Sequence, residues 1–99
     1  MEHREQNSSV VRWKILFSGR VQFVGFRYTA CFIAKSLKVT GWVENLDDGS
    51  VIMEAQGRRS DVRRLILKLK SHPPIRIEHM DIREIPVEPK EKYFSVMEY

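Results

Sequence analysis

Two polar side chains stand where chemistry is easiest to build: Arg27, closing the stretch GRVQFVGFR (Gly19 to Arg27), and Asn45, just ahead of the turn residues Asp47, Asp48 and Gly49. GRVQFVGFR leaves an alternating apolar run and enters a helical pattern. A loop at such a junction aims unpaired backbone N–H groups, and the positive end of the helix dipole, at one small volume, which suits a phosphate or another tetrahedral anion. Arg27, in the first turn of the expected helix, adds a planar fork of donors matched to phosphate or carboxylate oxygens. Asn45 has two readings. Beside a turn its amide can bond local backbone. If the second strand lies next to the first, Asn45 instead stands near the anion loop, where a neutral amide can hold a water molecule by donating to it or accepting from it.

The other reactive side chains point to quieter roles. Cys31 falls beside the apolar stripe of the first helix, so packing is its expected task. The C-x5-R motif of thiol phosphatases would need arginine at position 37, where this chain has Leu37. His72 and His79 read as structural or surface residues. Arg58, Arg59, Arg63, Arg64, Lys68 and Lys70 gather on and before the second helix, mostly off its apolar stripe. That pattern makes a solvated basic face, with non-specific polyanion contact as the other reading.

These groups need elements to position them. Val11, Trp13, Ile15 and Phe17 alternate with Arg12, Lys14, Leu16 and Ser18, the period of a strand with one face buried. Phe26, Ala30, Ile33, Ala34 and Leu37 recur at helical spacing, and Gly41 is expected to end that helical segment. Trp42 to Leu46 reads as a second strand. Asp-Gly at 48 and 49 suits a tight reversal, and Ser50 to Gln56 is the returning strand, closed by Gly57. Ser60 and Asp61 make a helix start. Val62, Leu65, Ile66 and Leu69 then give the stripe of a second amphipathic helix, stopped by Pro73 and Pro74. Ile75 to Ile85 is expected to be a fourth strand, and Tyr93 to Tyr99 a last one. The order is β-α-β-β-α-β with a short fifth strand. Two helices can each hide an apolar stripe only if both lie on one face of a single, mostly antiparallel sheet. The expected fold class is therefore α+β, a ferredoxin-like βαββαβ sandwich.

Composition bounds the rest. With 99 residues and no internal repeat, residues 10–99 are expected to form one domain. Residues 1–9 (MEHREQNSS) read as a loose tail without a signal region. No apolar run approaches the length of a membrane span, and one cysteine fits a reducing cytosolic compartment. The formal charge of +4 suits anionic small molecules, a nucleic acid, or solubility alone.

The stretches GRVQFVGFR and GWVENLDDGSVIMEAQG resemble the two signature segments of the acylphosphatase family, and SHPP and YFSVMEY are similar to its less distinctive remainder. The resemblance runs from about Val11 to Tyr99. It implies a hydrolase that splits acyl phosphates into a carboxylate and inorganic phosphate, without metal or other cofactor. It also implies that Arg27 binds the substrate phosphate with the main-chain amides of Gln22, Phe23, Val24, Gly25, Phe26 and Arg27, while Asn45 positions the attacking water. The expected partner is a small acyl phosphate, with inorganic phosphate as product or inhibitor. No membrane or nucleic-acid partner is expected, and the unit is read as a cytoplasmic monomer.

One residue departs from the family pattern. The loop there usually has glycine where this chain has Phe23. If that position needs a positive φ, phenylalanine there costs about 1 to 3 kcal/mol of local strain. Its ring would then either cover the phosphate mouth or block it. The alternative function is accordingly a weakened, acylphosphatase-like domain that binds anions or nucleic acid. Base stacking on the sheet would need aromatics in the third strand, and SVIMEAQ has none.

Overall fold

The computed structural model describes residues 9–98; residues 1–8 of the expected tail, and Tyr99 of the expected last strand, lie outside the described residues. The elements in chain order are β1 (Val10–Arg20), α1 (Phe26–Ser36), β2 (Thr40–Asn45), β3 (Val51–Arg58), α2 (Arg59–Lys70), β4 (Arg76–Ile85) and β5 (Phe94–Met97). They build one five-stranded sheet in the order β4-β1-β3-β2-β5, antiparallel except where β5 joins β2 in parallel. This is the expected ferredoxin-like arrangement, and both helices pack on the face that carries the apolar alternation.

The periodicities become the core. Val11, Trp13, Ile15 and Phe17 of β1, Val51, Met53 and Ala55 of β3, Ala30, Ile33 and Ala34 of α1, and Val62, Leu65, Ile66 and Leu69 of α2 are all buried. Phe26 opens α1 and seats its ring on Phe17, with centroids 4.9 Å apart and planes tilted by 58°. Burying a phenylalanine contributes about 1.5–3 kcal/mol, and here it also fixes where the helix starts relative to β1.

Several local expectations give way to tertiary demands. α1 stops at Ser36 and the chain reverses through Lys38, at φ 59, so Gly41 does not end the helix. Gly41 lies inside β2 because a Cβ there would meet the Glu54 carbonyl oxygen at 1.8 Å. Ser60 is not the cap of α2: β3 runs through Gly57 to Arg58, the helix starts at Arg59, and no side chain caps it. The Arg59 N–H donates instead to the Ser9 carbonyl at 3.0 Å, which ties down one residue assigned to the loose tail.

The largest surprise is Arg12, expected on the solvated face and in fact buried. The connection from β4 to β5 must cross from one edge of the sheet to the other, and this strap, residues 86–93, passes beside Arg12. Glu91 takes two bonds from the guanidinium at 2.8 and 3.2 Å, Glu54 of β3 takes the Nε donor at 2.9 Å, and Gln56 takes another at 3.2 Å. Burial works to release the proton, but the bonds to Glu91 and Glu54 outweigh it and hold Arg12 above its ordinary pKa. Gln56 also pairs with the strap backbone, donating to the Glu88 carbonyl at 3.0 Å and accepting from its N–H at 2.7 Å.

Candidate active site

The loop between β1 and α1 is shaped by two positive φ angles, Phe23 at 63° and Gly25 at 76°. Val24 between them is not in that region, and its side chain packs against the core. Alternation of this kind turns successive N–H groups toward one side, the geometry of an anion nest. Gly25 is the N-cap of α1 and has no side chain to offer. The first helical bond comes only at Thr29 N–H, which donates to the Gly25 carbonyl at 3.0 Å. The amides of Phe26, Arg27 and Tyr28 therefore have no helical acceptor, and no acidic side chain lies in the first turn to offset the dipole.

These groups face a cavity of about 180 Å³ lined by Val21, Phe23, Gly25, Phe26, Arg27, Tyr28 and Asn45. Its size is below that of pockets for drug-sized ligands and suits a small group. A larger cleft of about 320 Å³ at the β2–β5 edge is lined by Glu44, Glu91 and Lys92 among others, and lies apart from the loop amides.

Asn45 reaches the cavity by a route different from the expected one. β2 does not lie beside β1, because β3 runs between them. Local pattern cannot report that order, since it is set by which strands pair across the whole chain. The loop itself spans the gap. The Gln22 side-chain amide donates to the Leu46 carbonyl at 2.7 Å and to the Ser50 carbonyl at 2.9 Å, stapling the loop to the β2–β3 hairpin. Asn45 follows buried Val43 by two residues, so it shares the helix-facing side of β2 at the point where the core ends. The hairpin beyond it is closed by other groups. Asp48 accepts from both the backbone N–H and the hydroxyl of Ser50, which holds its carboxyl below the usual range.

Arg27 is oriented from far along the chain. Its Nη1 donates to the Met97 carbonyl at 2.8 Å, across a sequence separation of 70 residues. The neighbouring Tyr28 hydroxyl donates to the Glu98 carboxylate, which raises the Tyr28 pKa. Two contacts thus stitch the end of β5 to the first turn of α1, and the rest of the Arg27 fork is left for a ligand. Of the expected loop residues, Gln22 and Val24 do not line the cavity: one is the staple, the other core packing. Val21 and Tyr28 do line it and were missed. Tyr28 had a signal in its place beside Arg27 in an acid-free first turn. Phe23 does sit at a positive φ, the condition under which its side chain costs strain, and its ring is fully exposed, so it does not seal the cavity.

Cys31 donates to the Phe94 carbonyl at 3.7 Å, in keeping with a packing role, and His72 and His79 are exposed away from the cavity.

The acylphosphatase family model matches residues 13–96. The chain belongs to the acylphosphatase family. It is 41% identical over 87 residues to an acylphosphatase of Clostridium perfringens (strain SM101 / Type A), a match covering 87% of this chain and 98% of that protein. The crystal structure of an acylphosphatase from Bacillus subtilis superposes with a TM-score of 0.82 at 30% identity, covering 89% of this chain and 99% of that one. An acylphosphatase structure from Coxiella burnetii gives the same TM-score of 0.82 at 33% identity, covering 98% and 100%. These similarities run over most of this chain and nearly the whole of each relative. Among the described residues, no helix is long and apolar enough to cross a membrane.

Proposed function

We propose that the chain hydrolyses the carboxyl–phosphate bond of small acyl phosphates, with Arg27 and the loop amides holding the phosphoryl group and Asn45 positioning the water. The observation that carries this reading is convergence: a guanidinium and first-turn amides from α1 and one neutral amide from β2 border the same cavity. Phosphoryl transfer needs charge neutralisation and in-line alignment more than a protein nucleophile. The loop supplies the first and Asn45 the second. Water oxygen bonds to phosphorus opposite the acyl oxygen, the phosphorus–acyl-oxygen bond breaks, and its electron pair leaves on the carboxylate. No carboxylate, histidine or cysteine lines the cavity, so the proton of the water passes to a phosphoryl oxygen or to solvent. The carboxylate is a good leaving group, and this chemistry requires no strong base and no metal.

The active unit is read as a monomer. The single cysteine supports a cytoplasmic setting. Inorganic phosphate, the product, carries the group that the loop grips and is expected to inhibit by competition.

Hydrolysis of benzoyl phosphate by the purified protein, with and without a chelator, tests the reading. Chelator-resistant turnover inhibited by inorganic phosphate is expected. Absence of turnover in folded protein, or its loss with the chelator, would overturn it.

A further inference from the structure

The cradle lies on the β3–β2 side of β1. At the same end of the sheet, on the β4 side, an open cleft of about 400 Å³ is lined by Arg20, Lys70, Ser71, Pro73, Pro74, Ile75 and Arg76. Three of these are cations, and none is an acid. Arg20 and Arg76 are direct partners in the β1–β4 ladder, and like charges set opposite each other weaken strand pairing. Lys70, the last residue of α2, is favoured there by the helix dipole, but that dipole offers the two arginines no carboxylate.

Among the described residues, none of the three cations is in an ion pair. Of the acids of β4, Asp81 pairs with Arg83 at 3.5 Å and Glu84 with Arg59 at 3.9 Å, while Glu78, whose stem lies beside Gly19, forms no pair with the three cations. The Ser71 hydroxyl donates to the Leu67 carbonyl at 3.0 Å, so the donors facing the cleft are the three cations. Arg12, with two carboxylates and an amide around it, shows how this fold neutralises an arginine that serves structure alone. Here the compensating charge is missing.

We propose that Arg20, Lys70 and Arg76 form a second anion-binding site, separate from the cradle, that takes a phosphate or carboxylate group. Guanidinium forks bind such groups with charge-assisted bonds and relieve their mutual repulsion in doing so. The group is either a free small anion or a second anionic group on the acyl part of the substrate. Arg20 lines this cleft and the next residue, Val21, lines the cradle cavity, so an anion here sits beside the reaction.

Titration of 15N-labelled R27A with inorganic phosphate reads the cleft directly, and does so whether or not the function of the cradle is as assigned. Saturable shifts are expected at the amides of Arg20, Lys70, Ser71, Ile75 and Arg76, weakening as salt is raised. In the R20Q/R76Q variant of the otherwise native chain, affinity at these amides should fall at least roughly tenfold, the effect of losing charge-assisted bonds, while Phe26 to Tyr28 still respond. No saturable shift in R27A, or the same shift in R20Q/R76Q, would overturn the proposal. R76Q alone should raise the melting temperature in phosphate-free buffer; a lower value would show that the arginine pair is already compensated. Kinetics then separate the sources. A KM increase of about tenfold in R20Q/R76Q for an acyl phosphate with a second phosphate on its acyl chain, with benzoyl phosphate unchanged, assigns the group to the substrate. Unchanged KM for both, with the shifts present in R27A, assigns it to a free anion. An equal rise for both substrates would overturn the separation of cleft from cradle.

Discussion

Arg12 and Arg27 are the same side chain put to opposite uses. Arg12 is buried, and its donors are taken by Glu54, Glu91 and Gln56. Arg27 is partly open to solvent, makes one bond to a backbone carbonyl, and stands beside helix amides that also lack acceptors. A guanidinium given carboxylates is finished as a structural part. One given only a carbonyl is oriented while its charge stays available. The distinction lies in the partners: those of Arg12 suit stability, and that of Arg27 leaves its charge for the proposed chemistry.

Substitution at both sites tests that division. The largest effect should come from Arg27→Ala, with kcat/KM for benzoyl phosphate reduced roughly 1,000-fold, the upper range for loss of one transition-state donor, and little change in denaturant midpoint. Equal losses of activity and stability would erase the contrast. Arg12→Ala should do the reverse, because it leaves Glu54 and Glu91 facing each other unpaired. Urea unfolding is expected to show a loss of about 3 kcal/mol, typical of breaking a buried ion pair, with near-native turnover per folded molecule. Asn45→Ala should lower kcat by about 100-fold while inorganic phosphate, followed by NMR titration, still binds. Parallel loss of both would contradict the separation of water from phosphate.

Phe23→Gly removes a phenylalanine from φ 63 and should stabilise the fold by about 1 kcal/mol in thermal unfolding, with turnover changed by only a few-fold, because the residue, though it lines the cavity, is fully exposed and does not seal it. Activity restored by orders of magnitude would mean that the native ring does obstruct. The smallest effect concerns pH. No carboxylate, histidine or cysteine lines the cavity, so the rate should be flat from about pH 5 to 8. Tyr28 is raised above 10.0 by its bond to Glu98. Its contribution is fully present below the unfolded pKa and is lost as pH rises through the folded one. An alkaline decline above about pH 10 that is absent in Tyr28→Phe would identify it.

Much of the fold is legible in local pattern. The apolar alternation of β1 and β3 and the stripe of α2 become core residue for residue, because burial of one face is what periodicity encodes. The junction holding Arg27 is equally visible, since a change of period marks a loop. What escapes is non-local. Nothing near Arg12 announces that residues 86–93 will cross over it, and nothing near Asn45 reports that β3 separates it from β1. The Met97 carbonyl that orients Arg27 is backbone, which carries no side-chain signature at all. Ser60 misled because a capping residue is only a local option, and a β-strand running directly into the helix needed a different start.

The position of β5 bears on how the enzyme is made. Among the described residues it is the last element in chain order, it alone closes the outer edge of β2, and its final carbonyl holds Arg27. During synthesis, therefore, the chain carries an open strand edge, a hazard for pairing with other chains, until the ribosome has delivered the strap and the strand beyond it. The same delivery completes the grip on Arg27. A prematurely terminated chain is thus both sticky and silent: the step that protects the edge is the step that switches the site on.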